Sequence, residues 1–142
     1  MPGRDFKPTE YRIGADDHVE SVLGPLESEV MEVAWKYGDD SFTVREIFEE
    51  LKRERKIAYT TVMTTMTSLF NKGLLTRKVA KGKGGLLYLY QTALSRKDLE
   101  KQTVSNVLRS LWKNFGKETL TSSFFNEIEI EPEELERLLK KE

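Results

Sequence analysis

The chain has 142 residues, 38% of them hydrophobic, a net charge of −1 and no cysteine. That length fits one ordinary domain, or a small domain with an appendage, around a core of moderate size. The missing cysteine removes disulfides, thiol catalysis and cysteine-based zinc or copper sites, and no apolar run reaches the roughly eighteen residues of a membrane span.

Residues 1–22 are polar, with Pro2, Gly3, Pro8 and Gly14 and no sustained period, and read as a flexible or loosely docked arm. No apolar signal segment follows Met1, so a cytoplasmic protein is expected. His18, beside Asp16 and Asp17, reads as solvated rather than as a metal ligand. Leu23-Gly24-Pro25 opens a helix with Pro25 at its first position and Glu27 and Glu29 at its positive end. Its expected buried stripe is Leu26, Val30, Val33 and Tyr37, flanked by Met31 and Trp35, and Gly38-Asp39-Asp40 ends it. Ser41-Phe42 is a short extended stretch. Thr43-Val44-Arg45-Glu46 is a capping box for a second helix with an apolar face of Val44, Ile47, Phe48 and Leu51.

The third helix, from Ala58 to Gly73, fits its period better than its propensity. Val62, Met66, Leu69 and Phe70 make one stripe, and Gly73 is a C′ residue. The other face carries Thr60, Thr64, Thr67, Ser68 and Asn71, with Thr61 beside them. Each threonine costs roughly half a kcal/mol against alanine through lost rotamer freedom. A short-armed, hydroxyl-rich face suits close approach to a DNA major groove, where hydroxyls bond base edges or phosphates. The competing reading is a polar face with chance threonine enrichment. Two helices this close in sequence match a helix-turn-helix.

After Gly73 the period becomes two. Leu74–Val79 and Leu86–Gln91 read as strands, and Ala80–Gly85 as a glycine-rich hairpin tip whose lysines can reach phosphates. No helix follows that glycine cluster, so it is not a nucleotide-binding loop. Ser95-Arg96-Lys97-Asp98 caps a long helix whose apolar stripe, Val104, Leu108, Leu111 and Phe115 widened by Val107 and Trp112, is too broad for one neighbour. A short helix from Glu118 to Asn126 and a last one from Pro132, carrying Leu135, Leu138 and Leu139 and complemented by Lys140 and Lys141, are expected. The glutamates from Glu127 to Glu136, alternating with Ile128 and Ile130, read as a solvated edge plus a helix N-terminus.

Charge is segregated. Residues 1–42 carry four basic and ten acidic side chains, and residues 43–83 carry ten basic and four acidic. From Arg55 to Lys97 there are nine basic residues and no acid, a run expected to keep a local positive field that distant acids do not cancel. No catalytic triad, carboxylate pair or metal-ligand set stands out, so no enzyme, metal or cofactor is expected.

The order helix, extended stretch, helix, helix, hairpin is that of a winged helix: a mainly α fold with a small β-hairpin. Leu23-Gly-Pro-Leu-Glu-Ser-Glu-Val-Met-Glu-Val-Ala-Trp35, Thr43-Val-Arg-Glu46, Ala58-Tyr-Thr-Thr-Val-Met63 and Asn71-Lys-Gly-Leu-Leu75, in this order, resemble the penicillinase-repressor (BlaI/MecI/CopY) family. The resemblance covers about residues 23–142. It implies a homodimeric transcriptional repressor, with a winged-helix domain over 23–93 binding double-stranded operator DNA and a helical dimerisation region over 94–142, after the arm of 1–22. Thr60, Thr61, Met63 and Thr64 fall where the family's recognition helix meets DNA; some relatives carry basic residues near Thr60 and Met63. The other candidate DNA contacts are Thr43, Arg45, Tyr59, Ser68, Lys72, Arg77, Lys81 and Lys83. Candidate dimer contacts are Leu99, Val104, Val107, Leu108, Leu111, Trp112, Phe115, Phe124, Leu135, Leu138 and Leu139. The copper-responsive branch has a C-terminal cysteine cluster that this chain lacks. In the β-lactam-responsive branch a membrane sensor protease pathway cuts an Asn-Phe bond in the dimer region. Asn114-Phe115 matches it, although Lys113 stands where an apolar residue is usual, and a surface Asn beside a core Phe is the other reading. The alternative function is a winged-helix protein–protein interaction module without sequence-specific DNA binding; the acid-free run favours DNA.

Overall fold

A computed structural model describes residues 23–140; the expected arm of 1–22, His18 within it, and Lys141 lie outside the described residues. Helix α1 spans Pro25–Trp35 and starts where expected, because Pro25 has the φ of a first helical residue and Gly24, the extended N-cap, donates its N–H to Glu27 Oε1 at 3.2 Å. Val30, Met31, Val33 and Ala34 are buried. Met31 is therefore central rather than flanking. Tyr37, expected in the stripe, lies past the helix end and packs its ring 5.0 Å from Phe42. Trp35 Nε1 donates to the Leu94 carbonyl at 2.8 Å.

Phe42 makes a two-bond antiparallel bridge with Tyr90, at 2.9 and 2.8 Å. This bridge ties the start of the helical pair to the hairpin. Helix α2, Val44–Lys52, is capped by Thr43 Oγ1, which accepts from Glu46 N at 3.2 Å. Helix α3 spans Tyr59–Asn71. It ends in a Schellman motif: Leu74 N bonds the Leu69 carbonyl and Gly73 N bonds the Phe70 carbonyl. Gly73 sits at φ 88, where a side chain would be strained.

Strands β1 (Leu75–Gly82) and β2 (Gly85–Thr92) pair antiparallel, from Leu75 opposite Thr92 to Gly82 opposite Gly85. The expected six-residue tip is thus a two-residue turn, Lys83-Gly84. Gly85 takes φ 112, which lets pairing run to the end of the wing. Lys81 is a strand residue, not part of a loose loop. One apolar core joins α1, α2, α3 and the base of the hairpin; Phe42, Ile47, Met66, Leu69, Leu74 and Tyr90 lie at its centre.

Helix α4 spans Arg96–Phe115, with Asp98 N donating to Ser95 Oγ at 3.1 Å. Leu99 joins the winged-helix core, and Thr103 is buried with its hydroxyl bonded to the Leu99 carbonyl. The first compact unit accordingly extends to Ser105, and a second begins at Asn106. The second holds the rest of α4, α5 (Lys117–Ile128) and α6 (Pro132–Leu139). Gly116, at φ 89, separates α4 from α5. Glu127 and Ile128 are helical, so the expected alternating edge does not form there. None of residues 106–140 is buried.

Candidate nucleic-acid interface

Helix α3 has two chemically distinct sides. Val62, Met66 and Leu69 are buried, while Tyr59, Thr60, Thr61, Met63 and Thr64 are exposed. The exposed side carries no charge. Its threonines are accommodated by bonding back along the helix: Thr64 Oγ1 donates to the Thr60 carbonyl at 2.9 Å, Thr65 to Thr61 at 2.8 Å and Thr67 to Met63 at 3.1 Å. This use of the hydroxyl hydrogen is the usual helical refuge of threonine. It leaves oxygen lone pairs and methyl groups facing outward. Thr60 and Thr61, in the first turn, make no such bond among the described residues and keep a free donor.

Two concavities flank this helix. The larger, about 510 Å³, lies between α3 and the wing and is lined by Thr43, Val44, Arg45, Tyr59, Met63, Thr64, Thr67, Leu86, Leu87, Tyr88 and Tyr90. Arg45 lies over the Tyr59 ring, 4.8 Å from its centre, and 3.6 Å from Glu49. The shallower groove is lined by Glu27, Thr60, Thr61, Thr64, Thr65 and Ser68. The expected contacts are thereby divided: Thr43, Arg45, Tyr59 and Met63 on one flank, Thr60, Thr61 and Ser68 on the other, and Thr64 on both.

Three further candidate contacts are engaged inside the protein. The Arg77 guanidinium is sandwiched between Phe70 and Tyr88, 4.0 and 4.1 Å from their centres, and Nη1 donates to the Tyr90 hydroxyl at 3.4 Å. It joins the end of α3 to the wing. Lys72 Nζ lies 2.8 Å from Glu27 Oε1, and Ser68 Oγ donates to Glu27 Oε2 at 3.2 Å. Lys81 and Lys83 are exposed near the end of the wing, with no ion pair among the described residues.

The positive field needs correction. The stretch from Arg55 to Lys97 lacks acids in sequence but not in space. Glu27, Glu29 and Glu32 of α1 pair with Lys72, Arg55 and Arg96 respectively. These contacts lie well inside a Debye length of about 8 Å, so the acidic segment does cancel part of the field. The wing lysines Lys81 and Lys83 are among the cations of this run that stay exposed. Glu27, Leu86 and Tyr88 line the two concavities without having been candidates from sequence. Glu27 carried only the signal of a helix N-terminal acid, and Leu86 and Tyr88 read as ordinary strand residues.

In the second unit, Leu108, Leu111, Trp112, Phe115, Leu138 and Leu139 are exposed, as is Val104 in the preceding turn of α4, whereas Val107, Phe124 and Leu135 are half-buried. Leu99, expected at the dimer interface, is 2% exposed and belongs to the winged-helix core, because the first turns of α4 are packed there. Asn114-Phe115 is the last pair of α4, and Phe115 is 65% exposed rather than a core anchor of the single chain. Among the described residues, no helix is long and apolar enough to cross a membrane.

The chain is similar to known regulators over most of its length. It is 27% identical over 118 residues to the methicillin resistance regulatory protein MecI of Mammaliicoccus sciuri, covering 82% of this chain and 89% of that one. It is 25% identical over 116 residues to a penicillinase repressor of Staphylococcus aureus, covering 82% and 86%. Over 53 residues, 37% of this chain and 38% of the relative, it is 43% identical to the transcriptional regulator BlaI of Mycobacterium tuberculosis. A solved structure, a possible transcriptional regulator from Methanosarcina mazei, shares the fold with a TM-score of 0.56 at 20% identity, covering 80% of this chain and 96% of its own. The family model for the penicillinase repressor matches residues 23–141, and the chain belongs to the penicillinase repressor family.

Proposed function

We propose that this protein is a homodimeric, cytoplasmic transcriptional repressor that binds double-stranded operator DNA through α3 and the wing. The observation that carries the reading is the outer side of α3: uncharged, exposed and hydroxyl-rich, beside a hairpin whose lysines are exposed. Uncharged short side chains discriminate bases without a strong sequence-independent attraction, and wing lysines supply that attraction through phosphates. Sequencing the DNA retained by the purified protein should yield a two-fold symmetric site, as expected for a dimer. Affinity for random duplex should fall steeply with salt. Binding independent of salt and of sequence would instead favour a protein–protein module.

Release by proteolysis at Asn114-Phe115 is the second part of the proposal. The bond ends α4, precedes Gly116, and its Phe115 is exposed. Cutting there would separate α5 and α6 from the DNA-binding unit, as expected if a membrane sensor protease pathway is the partner. In cells whose target gene is induced, mass spectrometry should find a fragment ending at Asn114, and an Asn114→Ala repressor should block induction. Intact repressor throughout induction would exclude this route.

A further inference from the structure

We propose that Glu27 is a positioning residue that raises the DNA specificity of α3 by holding Lys72 and Ser68 on the protein; this rests on the DNA-binding reading above. Its carboxylate binds three groups at once. Oε1 accepts from Gly24 N at 3.2 Å and from Lys72 Nζ at 2.8 Å, and Oε2 accepts from Ser68 Oγ at 3.2 Å. Ser68 and Lys72 are one turn apart, so the carboxylate spans the last turn of α3 from the start of α1. The Glu27 side chain is only 16% exposed, against 39% for Glu29 in its pair with Arg55. It is therefore screened less by solvent and salt than that surface pair.

Two consequences follow from its position in the shallow groove, where every other lining residue bears a hydroxyl. The clamp fixes the rotation of α3 about its axis, and with it the direction in which Thr60, Thr61 and Thr64 point. It also offsets the charge of Lys72 beside the threonine face, so an arriving phosphate backbone meets no cation among the described residues that line this groove. Sequence-independent binding, which depends on such cations, is weakened more than binding that gains from base contacts.

Glu27→Gln separates the charge from the shape. The amide oxygen can still accept from Gly24 N, and the amide nitrogen, in the place of Oε2, can donate to Ser68 Oγ, but Lys72 is no longer paired with an anion. Wild type, Glu27→Gln and Glu27→Gln with Lys72→Met should be titrated with salt on two duplexes. One has random sequence, and the other is selected by the wild-type protein from a randomised pool. On the random duplex Glu27→Gln should bind roughly threefold to tenfold more tightly at low salt, with a salt slope steeper by about 0.9, the value of one added phosphate contact. The ratio of selected to random affinity should fall, and the added slope should vanish with Lys72→Met. Thermal unfolding of each variant monitors the fold. An unchanged slope and ratio, or an equal loss on both duplexes with a lowered melting temperature, would overturn the proposal and leave Glu27 a structural cap. A wild-type protein that binds no random duplex and enriches no sequence from the pool would overturn the DNA-binding reading and this inference with it.

Discussion

Thr64 illustrates how one hydrogen bond narrows a side chain's options. Its hydroxyl hydrogen goes to the Thr60 carbonyl, so what it offers outward is an acceptor and a methyl group. A phosphate has no hydrogen to donate at neutral pH. Thr64 is therefore suited to a base amino group, on adenine or cytosine, or to a thymine methyl. Thr64→Ala should weaken operator binding by about 1–3 kcal/mol and leave random DNA nearly unchanged. Thr64→Val separates the two contacts: retained affinity marks the methyl, and lost affinity marks the oxygen. Equal losses on both DNAs would mean a non-specific role. Ser28 is a residue-scale case in the core. It is 4% exposed and its hydroxyl has no hydrogen-bond partner among the described residues. An unsatisfied buried polar group costs about 1–3 kcal/mol. Ser28→Ala should therefore stabilise the protein by about 1 kcal/mol in urea denaturation, and a destabilised variant would reveal a partner for that hydroxyl.

The wing is the element where expectation and structure differ most usefully. Pairing extends to Gly82 and Gly85, so the hairpin is a two-stranded ladder rather than a floppy tip. Alternation along the strands puts Arg77, Val79 and Lys81 on one face with Tyr90, Tyr88 and Leu86 opposite them. Arg77 fastens this face to α3 through Phe70. A guanidinium stacked between two rings contributes through its planar shape as well as its charge, at about 0.5–2 kcal/mol per ring. Arg77→Lys should thus lower the melting temperature and weaken binding to all DNA while leaving the salt slope unchanged. Replacing Lys81 and Lys83 by alanine should do the reverse: stability holds, and the slope falls by about 2. A slope that stays constant in the double variant would mean that the wing stands clear of the duplex.

For the whole molecule, the telling contrast is between its two compact units. The first has a closed apolar core; the second leaves Leu108, Trp112, Phe115, Leu138 and Leu139 exposed. So much apolar surface is costly for a single chain to leave in water and suits a second copy. A chain ending at Ser105 should be a folded monomer by sedimentation, because Leu99 and Thr103 stay with the core they complete. Its operator affinity should fall by about 10²–10⁴-fold as two-site binding is lost. A dimer at that length would place the interface in the winged-helix unit. Truncation at Ala93, the boundary that the family resemblance implies, should destabilise the fold by removing Leu99 as well.

Much of the fold was legible because its signals are local. The stripe of α3, the caps Thr43 and Ser95, Gly73 at its C′ position and the switch to a period of two each act within a turn or a strand, so residue order alone specifies them. Membership of a winged-helix family followed from the same signals in series. The candidate site was legible as a threonine face and a set of wing lysines. Which cations stay available was not. Lys72 meets Glu27 across 45 residues and Arg96 meets Glu32 across 64, and the rings that hold Arg77 come from α3 and β2. Charge and ring pairing depend on separations of a few ångströms in space, which chain position does not encode. Packing of the helices and hairpin around one core brought those groups together, and so decided which charges are neutralised and which face outward.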